Sequence, residues 1–337
     1  MDEWVLATGA RSGPAGAILG PLAALAAAAG SAAQAPSGMP PQMPLGGTWV
    51  FGVFFGLLGL CAGSFLNVCI HRLPAGKGLV WPGSHCPACL APIAWYDNLP
   101  VLSYFILRGR CRHCGSGFSI RYMLVEAATG LLFFGYWLAY FRLDVRDGAD
   151  HLAVYAVHMV LASALLVSGV IDYERKEIYT SVTNTALAVG LVASFLWPQV
   201  QRVGTFDGHL PDWTGWARTD AVLVSLVGAA VGAGIIYATR ALGTLVFRKE
   251  AMGIGDVYLM AAVGGCLGWE AAVLVFFAAP FLGLVYGVYH LARKEGSEVP
   301  YGPFLGMAAG LVMLVQDEVV AYFRPGIEAI LFAGPAM

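Results

Sequence analysis

Charge is what this sequence has least of. Of its 337 residues only 12% are Asp, Glu, Lys or Arg, while 58% are hydrophobic. A soluble globular domain carries about 25% charged residues. The scarcity excludes a water-soluble globular chain and, with a mean hydropathy of +0.70, points to several membrane crossings and a lipid bilayer as surroundings. Net charge is −2, so no basic excess invites nucleic acid, and none is expected as a partner. Residues 1–46 lack a basic leader region: Asp2 and Glu3 stand there, and Arg11 is the one basic residue of the segment. That argues against an ordinary signal peptide, although Ser31–Ala35 has a cleavage-site composition. This Ala-, Gly- and Pro-rich stretch reads as a low-complexity extension.

What is abundant is apolar sequence in long runs. Runs near 48–69, 122–141, 151–171, 180–197, 221–246, 257–268, 270–291 and 301–323 predict an all-α, polytopic membrane protein of about eight transmembrane helices. The 257–268 run is short, and Gly264, Gly265 and Gly268 are read as its turn into the next helix. The tail at 327–334 is too short to cross. With the N-terminus outside, twelve of the nineteen basic residues fall on the inner side, among them Arg72, Lys77, Arg121, Arg175, Lys176, Arg248, Lys249 and Lys294. The outer loops then carry Asp144, Asp147, Asp150, Asp207, Asp212 and Asp220. An excess of Lys and Arg marks the cytoplasmic side, so both termini are expected outside. The divisions are an extension over 1–46, a first helix with a polar loop over 47–121, a membrane-embedded domain over 122–323, and a tail over 324–337.

This orientation puts two acids at one depth. Asp172 ends the third span as it reaches the cytoplasm, and Asp256 opens the sixth on the same side, behind Gly253-Ile254-Gly255. An ionisable residue at a membrane span marks a functional site by default. Two carboxylates held close cannot both ionise cheaply, so they share a proton, as in aspartic proteases. One takes a proton from the attacking water while the other hydrogen-bonds the peptide carbonyl. Gly253 and Gly255, lacking a Cβ, are expected to let the backbone bend and an extended substrate approach closely. The alternative is that Asp256 caps its helix and Asp172 pairs with Arg175 or Lys176.

The polar loop between the first two spans carries Cys86-Pro87-Ala88-Cys89 and Cys111-Arg112-His113-Cys114. Two C-x-x-C turns complete a tetrahedral four-cysteine site. A cytoplasmic loop is reduced, which favours a zinc ion over disulfides. Four ligands leave no open position, so the metal is structural, in a small zinc-ribbon-like loop domain. His113 reads as a bystander, and Cys61, Cys69 and Cys266 as packing residues.

Several further stretches carry a family likeness. They are Gly63-Ser64-Phe65-Leu66-Asn67-Val68, His71-Arg72-Leu73-Pro74, Asp97-Asn98-Leu99-Pro100-Val101-Leu102-Ser103-Tyr104, Arg108-Gly109-Arg110, Arg121-Tyr122 with Glu126, Asp172 with Ile178, and Val299-Pro300-Tyr301-Gly302-Pro303-Phe304-Leu305. With Gly253-Ile254-Gly255-Asp256 and the paired cysteine motifs, in this order, the chain resembles the prepilin peptidases of bacterial membranes over about 48–323. Two departures are Tyr179-Thr180, where the family usually has Pro and Asp after the Ile, and Tyr258, where it usually has Lys.

The resemblance implies an inner-membrane aspartic endopeptidase with its site facing the cytoplasm. It would cut the leader from type IV prepilins or type II secretion pseudopilins, alongside the pilus or secretion assembly machinery. Asp172 and Asp256 would be catalytic, with Gly253, Gly255, Pro300, Gly302 and Pro303 shaping the site. It also implies N-methylation of the new N-terminus with S-adenosylmethionine. No glycine-rich nucleotide loop of the soluble kind is visible, so that donor needs another kind of site. Arg72, Asp97 and Glu126 are candidates for it, or else a polar network holding the zinc loop to the membrane. The rivals are a general intramembrane aspartyl protease, and a non-catalytic zinc-loop scaffold or transporter.

Overall fold

In hydrocarbon the backbone must satisfy its own hydrogen bonds, which leaves long apolar runs the helix as their solution. A computed structural model describes residues 45–143, 151–204, 210–248, 252–293 and 300–332. Almost all of the expected extension lies outside the described residues, as do Lys249, Lys294, Asp144, Asp147, Asp150 and Asp207.

The helices are α1 (Leu45–Arg72), α2 (Leu102–Ile106), α3 (Ile120–Phe141), α4 (His151–Arg175), α5 (Thr180–Leu196), α6 (Ala217–Phe247), α7 (Ile254–Leu267), α8 (Trp269–Arg293) and α9 (Gly302–Phe332). Short 3-10 turns occupy Trp95–Asn98 and Pro198–Gly204. Among the described residues β-structure is limited to two isolated bridges, both in the cysteine loop. The chain is an all-α, multi-pass membrane protein.

Eight helices match the eight apolar runs, but only six are long and apolar enough to cross a membrane. The exceptions are α5 and α7, at 17 and 14 residues. At about 1.5 Å per residue α7 reaches roughly 21 Å, short of a hydrocarbon core of about 30 Å. It tolerates that length because it is enclosed: Leu259, Met260 and every residue from Ala262 to Leu267 are buried.

Its enclosure depends on glycine. A Cβ on Gly228 would lie 2.1 Å from the Gly264 carbonyl oxygen, and one on Gly232 would lie 2.2 Å from that of Met260. The α6 and α7 backbones therefore touch, the packing that small residues permit between membrane helices. A Cβ on Gly265 would meet Leu187 of α5 at 2.3 Å. Gly264 and Gly265 are thus packing contacts rather than part of the turn; Gly268, with φ +90°, makes the turn into α8. At the other end of the chain α9 does not stop near residue 323 but continues through Pro325 to Phe332. A proline within a helix forfeits one hydrogen bond without ending it.

Candidate active site

Asp172 lies in the last turn of α4 and Asp256 in the first turn of α7. Both are buried, at 7% and 6% exposure, and the charge of Asp172 reaches Asp256. The structure therefore brings together two acids 84 positions apart. Asp172 lies within electrostatic reach of Lys176, as the alternative had it, but Asp256 does not cap its helix. The N-cap of α7 is Gly253, with no side-chain cap. The Asp172 carboxylate accepts the Gly302 N–H at 2.9 Å. That donor is one of the N–H groups at the start of α9 that no helical carbonyl satisfies. Asp256 Oδ1 is buried with no hydrogen-bond partner. Tyr301, before Gly302, lies within electrostatic reach of Asp256.

The predicted supporting residues divide by what they touch. A Cβ on Gly302 would sit 2.8 Å from Asp172 Oδ2, so only glycine lets α9 start against the carboxylate. Pro303 follows in the first turn of α9, and its Cα is 3.3 Å from where a Cβ on Gly169, one turn before Asp172, would stand. A Cβ on Gly255 would be 2.6 Å from the Ile178 Cβ. Gly255 is thus filled by Ile178 rather than left open to an extended substrate. Gly253 is extended, at φ −67° and ψ 148°, where any residue fits; a Cβ there would meet Asp256 Oδ2 at an ordinary 3.7 Å. The close approach expected at Gly255 is therefore taken up by Ile178, whereas the space beside Gly253 borders the Asp256 carboxylate. Pro300 precedes the helix start and has no side-chain hydrogen bond to offer.

The four cysteines of the loop converge. Cys86, Cys89, Cys111 and Cys114 have sulfurs within 4.8 Å of one another and could hold a metal ion. The two knuckles repeat one geometry. Leu90 N–H donates to the Cys86 carbonyl at 2.9 Å, and Gly115 N–H to the Cys111 carbonyl at 2.9 Å. Leu90 and Gly115 are both left-handed, at φ 58° and 71°. Cys86 N–H then donates to Ala91 O, and Cys111 N–H to Ser116 O. The bridges His85–Pro92 and Arg110–Gly117 flank the knuckles. Hydrogen bonding from the Cys89 N–H draws the Cys86 thiol down to about 6, while at Cys89 the Ala91 N–H is outweighed by burial and the neighbouring sulfurs, which push the thiol up to about 11.

Arg72, Asp97 and Glu126 all line one cavity of about 560 Å³ between the loop, the end of α1 and the start of α3. The first two are already engaged. Arg72 donates to the carbonyls of Gly78, Leu79 and Gly83. Asp97 takes a forked pair of bonds from Arg112, at 2.8 and 2.5 Å, which holds its carboxyl below the usual range. Both serve the polar network that was the alternative to donor binding. Cys69 and Cys266 are buried packing residues, whereas Cys61 is exposed and lines the cavity.

Sequence reasoning missed the cradle around Glu126. A Cβ on Gly63 would lie 2.7 Å from the Glu126 Cα, so α1 and α3 meet backbone to backbone there. Ser64 and Asn67 of α1 lie beside the carboxyl, and the Val101 N–H donates to it at 2.8 Å. The available signal was spacing: Ser64 and Asn67 are polar neighbours three apart on one face of an apolar helix. Arg240 was also missed; its Nε donates to the Met252 carbonyl at 2.9 Å, just before Gly253.

Two family models match the chain. The bacterial peptidase A24 N-terminal domain matches residues 57–140, and the type IV leader peptidase family matches residues 159–288. A prepilin leader peptidase/N-methyltransferase of Myxococcus xanthus is 39% identical over 242 residues, covering 72% of this chain and 64% of that relative. One from Stutzerimonas stutzeri is 31% identical over 293 residues, covering 79% and 91%. One from Klebsiella pneumoniae is 36% identical over 235 residues, covering 66% and 88%. No solved structure matches the chain.

Proposed function

The chain belongs to the type IV leader peptidase family, and we propose that it cleaves the leader from prepilins or pseudopilins and N-methylates the new N-terminus. The observation that carries the peptidase reading is the burial of Asp172 and Asp256 within electrostatic reach of each other, at the end of α4 and the start of α7. An aspartic pair works with one proton between its two carboxyls. Asp172, which already accepts the Gly302 N–H, is suited to carry the charge and take a proton from the attacking water, since hydrogen bonding to a carboxylate favours its charged form. Asp256, whose Oδ1 has no partner, is suited to hold the proton and polarise the scissile carbonyl. Gly255, Ile178, Gly302 and Pro303 fix the spacing, with Arg240 tethering the approach to Gly253.

The four cysteines hold a zinc ion in this reading. Their sulfurs form a closed donor set, so the metal folds the loop and leaves the chemistry to side chains. The cavity beside it suits a small molecule, since ligand sites have volumes of about 300–1,000 Å³. There Arg72 and Asp97 hold the walls and Glu126 faces the ligand space. S-adenosylmethionine bound there would supply an electrophilic methyl group. The basic-residue count favours the cytoplasmic face for both sites, with the N-terminus outside; the family resemblance implies the inner membrane and the pilus or secretion machinery as downstream partner.

The test is the intact mass of a prepilin co-expressed with the full-length protein. A loss equal to the leader plus the gain of one methyl group is expected. With Asp256→Asn the prepilin should stay uncut. Cleavage surviving in that variant would sink the dyad, and a cut product without the methyl would remove the second activity.

A further inference from the structure

The two carboxylates of the cavity differ in their partners. Asp97 is paired with Arg112. Among the described residues Glu126 forms no ion pair, although Arg72, Arg110, His71 and His85 line the same cavity. Arg72 is committed to three backbone carbonyls. What surrounds Glu126 is a cradle: Ser64 and Asn67 flank the carboxyl and Val101 N–H holds Oε2 at 2.8 Å. Asn67 gives its Nδ2 to the Tyr122 carbonyl at 2.8 Å, and its Oδ1 is a buried acceptor without a partner. A carboxylate that lines a cavity without a cationic partner calls for a ligand rich in donors, and an ammonium group has three.

Val101 adds a second observation. It is β-branched yet sits at φ 61°, ψ −48°, where such a residue is a genuine outlier. Strain of this kind persists where surrounding contacts over-determine it, and it clusters at functional sites. Here the Glu126 carboxylate is the contact that holds it.

Position is the third. Val125, beside Glu126, packs in one cluster with Ile171, beside Asp172. Arg121, in the first turn of α3, pairs with Glu174, in the last turn of α4. Asp172 and Glu126 therefore lie on two helices packed against each other, α4 and α3.

We propose that Glu126 receives the α-ammonium group of the newly cut substrate and takes one proton from it. The inference rests on the peptidase and methyltransferase reading above, and moves Glu126 from holding the methyl donor to holding the methyl acceptor. In the step, one N–H bond breaks, the proton passes to the carboxylate, and the nitrogen keeps the electron pair. The nitrogen is then nucleophilic toward a sulfonium methyl donor, and Glu126 returns its proton to water. Phe65, Leu99 and Met123, which also line the cavity, would accommodate an apolar first residue.

The experiment uses the full-length protein in detergent, without a methyl donor. Its probes are two synthetic peptides that begin at the cut site of the prepilin used above, one with a free α-amine and one α-acetylated. The wild type should bind the free amine about 10–100-fold more tightly, the range of a charge-assisted hydrogen bond. Glu126→Gln keeps an oxygen for the Val101 N–H and loses the charge. It should erase that preference and slow methylation by about 100-fold or more, with cleavage unchanged within about threefold. If the wild type cuts prepilin but binds both peptides equally, the Glu126 assignment falls alone, with no variant needed to decide it. The same holds if Glu126→Gln keeps the preference. If the wild type leaves prepilin uncut, the activity reading itself fails and takes this inference with it.

Discussion

The two ends of this molecule's chemistry are held by opposite means. Asp172 and Asp256 sit in helices whose neighbours are fully buried, with Ile171, Leu259 and Met260 at 1%, 1% and 0% exposure. Backbone contacts at Gly255 and Gly302 fix their spacing. Between Leu73 and Leu124, by contrast, the buried residues are Cys86, Gly109 and Cys111. The loop has no apolar core, and two knuckles with a network around Asp97 and Arg112 hold its shape. A segment this small needs a metal or a comparable staple to fold. The aspartate end is therefore a product of helix packing, and the cysteine end a product of hydrogen bonding together with the metal proposed for its four sulfurs.

The sharpest way to separate them is Asp172→Asn. It removes a carboxyl the acid–base chemistry needs and should lower cleavage by about 10⁴-fold. Methylation of a peptide supplied already cut should persist within a few-fold, since the cavity lies outside the change. Mass spectrometry of both products reads the two activities in one sample; loss of both would show that the ends are not independent. Metal removal tests the converse. Chelation, or Cys86→Ser with Cys89→Ser, should release one zinc per chain, because binding is what folds such a domain. Methylation should be lost and cleavage retained in good part. Metal analysis and limited proteolysis of the loop are the readouts, and a loop equally protected without metal would break the comparison.

Legibility in sequence follows the same divide. The apolar runs announced the eight helices because membrane crossing imposes length and composition, and α5 and α7 came out short because enclosure by other helices lifts that constraint. The four cysteines were legible because coordination fixes residue type and spacing. The pairing of Asp172 with Asp256 followed from the distribution of Arg and Lys. What could not be read was contact. That Gly255 faces Ile178, or that Gly63, Ser64 and Asn67 surround Glu126, depends on which helix faces lie together. Apolar residues all round a membrane helix leave little periodic signal to say so. Arg72 and Asp97 looked like ligand residues because charge is rare here, and most of their hydrogen-bonding capacity turned out to serve the loop itself.

The smallest effect gives the finest test of how the proteolytic end is built, because Gly253 and Gly255 stand two residues apart in one motif. Gly255→Ala would set a Cβ 2.6 Å from that of Ile178, in a contact between two half-buried residues. Overpacking of this kind costs about 1–3 kcal/mol. Since the shift would fall on the residue before Asp256, cleavage should drop about 10-fold or more with Glu126 and the loop untouched. Gly253→Ala meets only Asp256 Oδ2, at an ordinary 3.7 Å, and Gly253 has an extended backbone open to any residue. It should cost little in either cleavage or thermal stability. Pairing Gly255→Ala with Ile178→Gly removes the Cβ that stands in the way, together with the rest of the isoleucine side chain, and should recover only part of the loss, which a double-mutant cycle would measure. If Gly253→Ala instead proved the damaging change, the glycines would be serving the approach of an extended substrate. The spacing of the two aspartates would then have to be fixed from the Gly302 side alone.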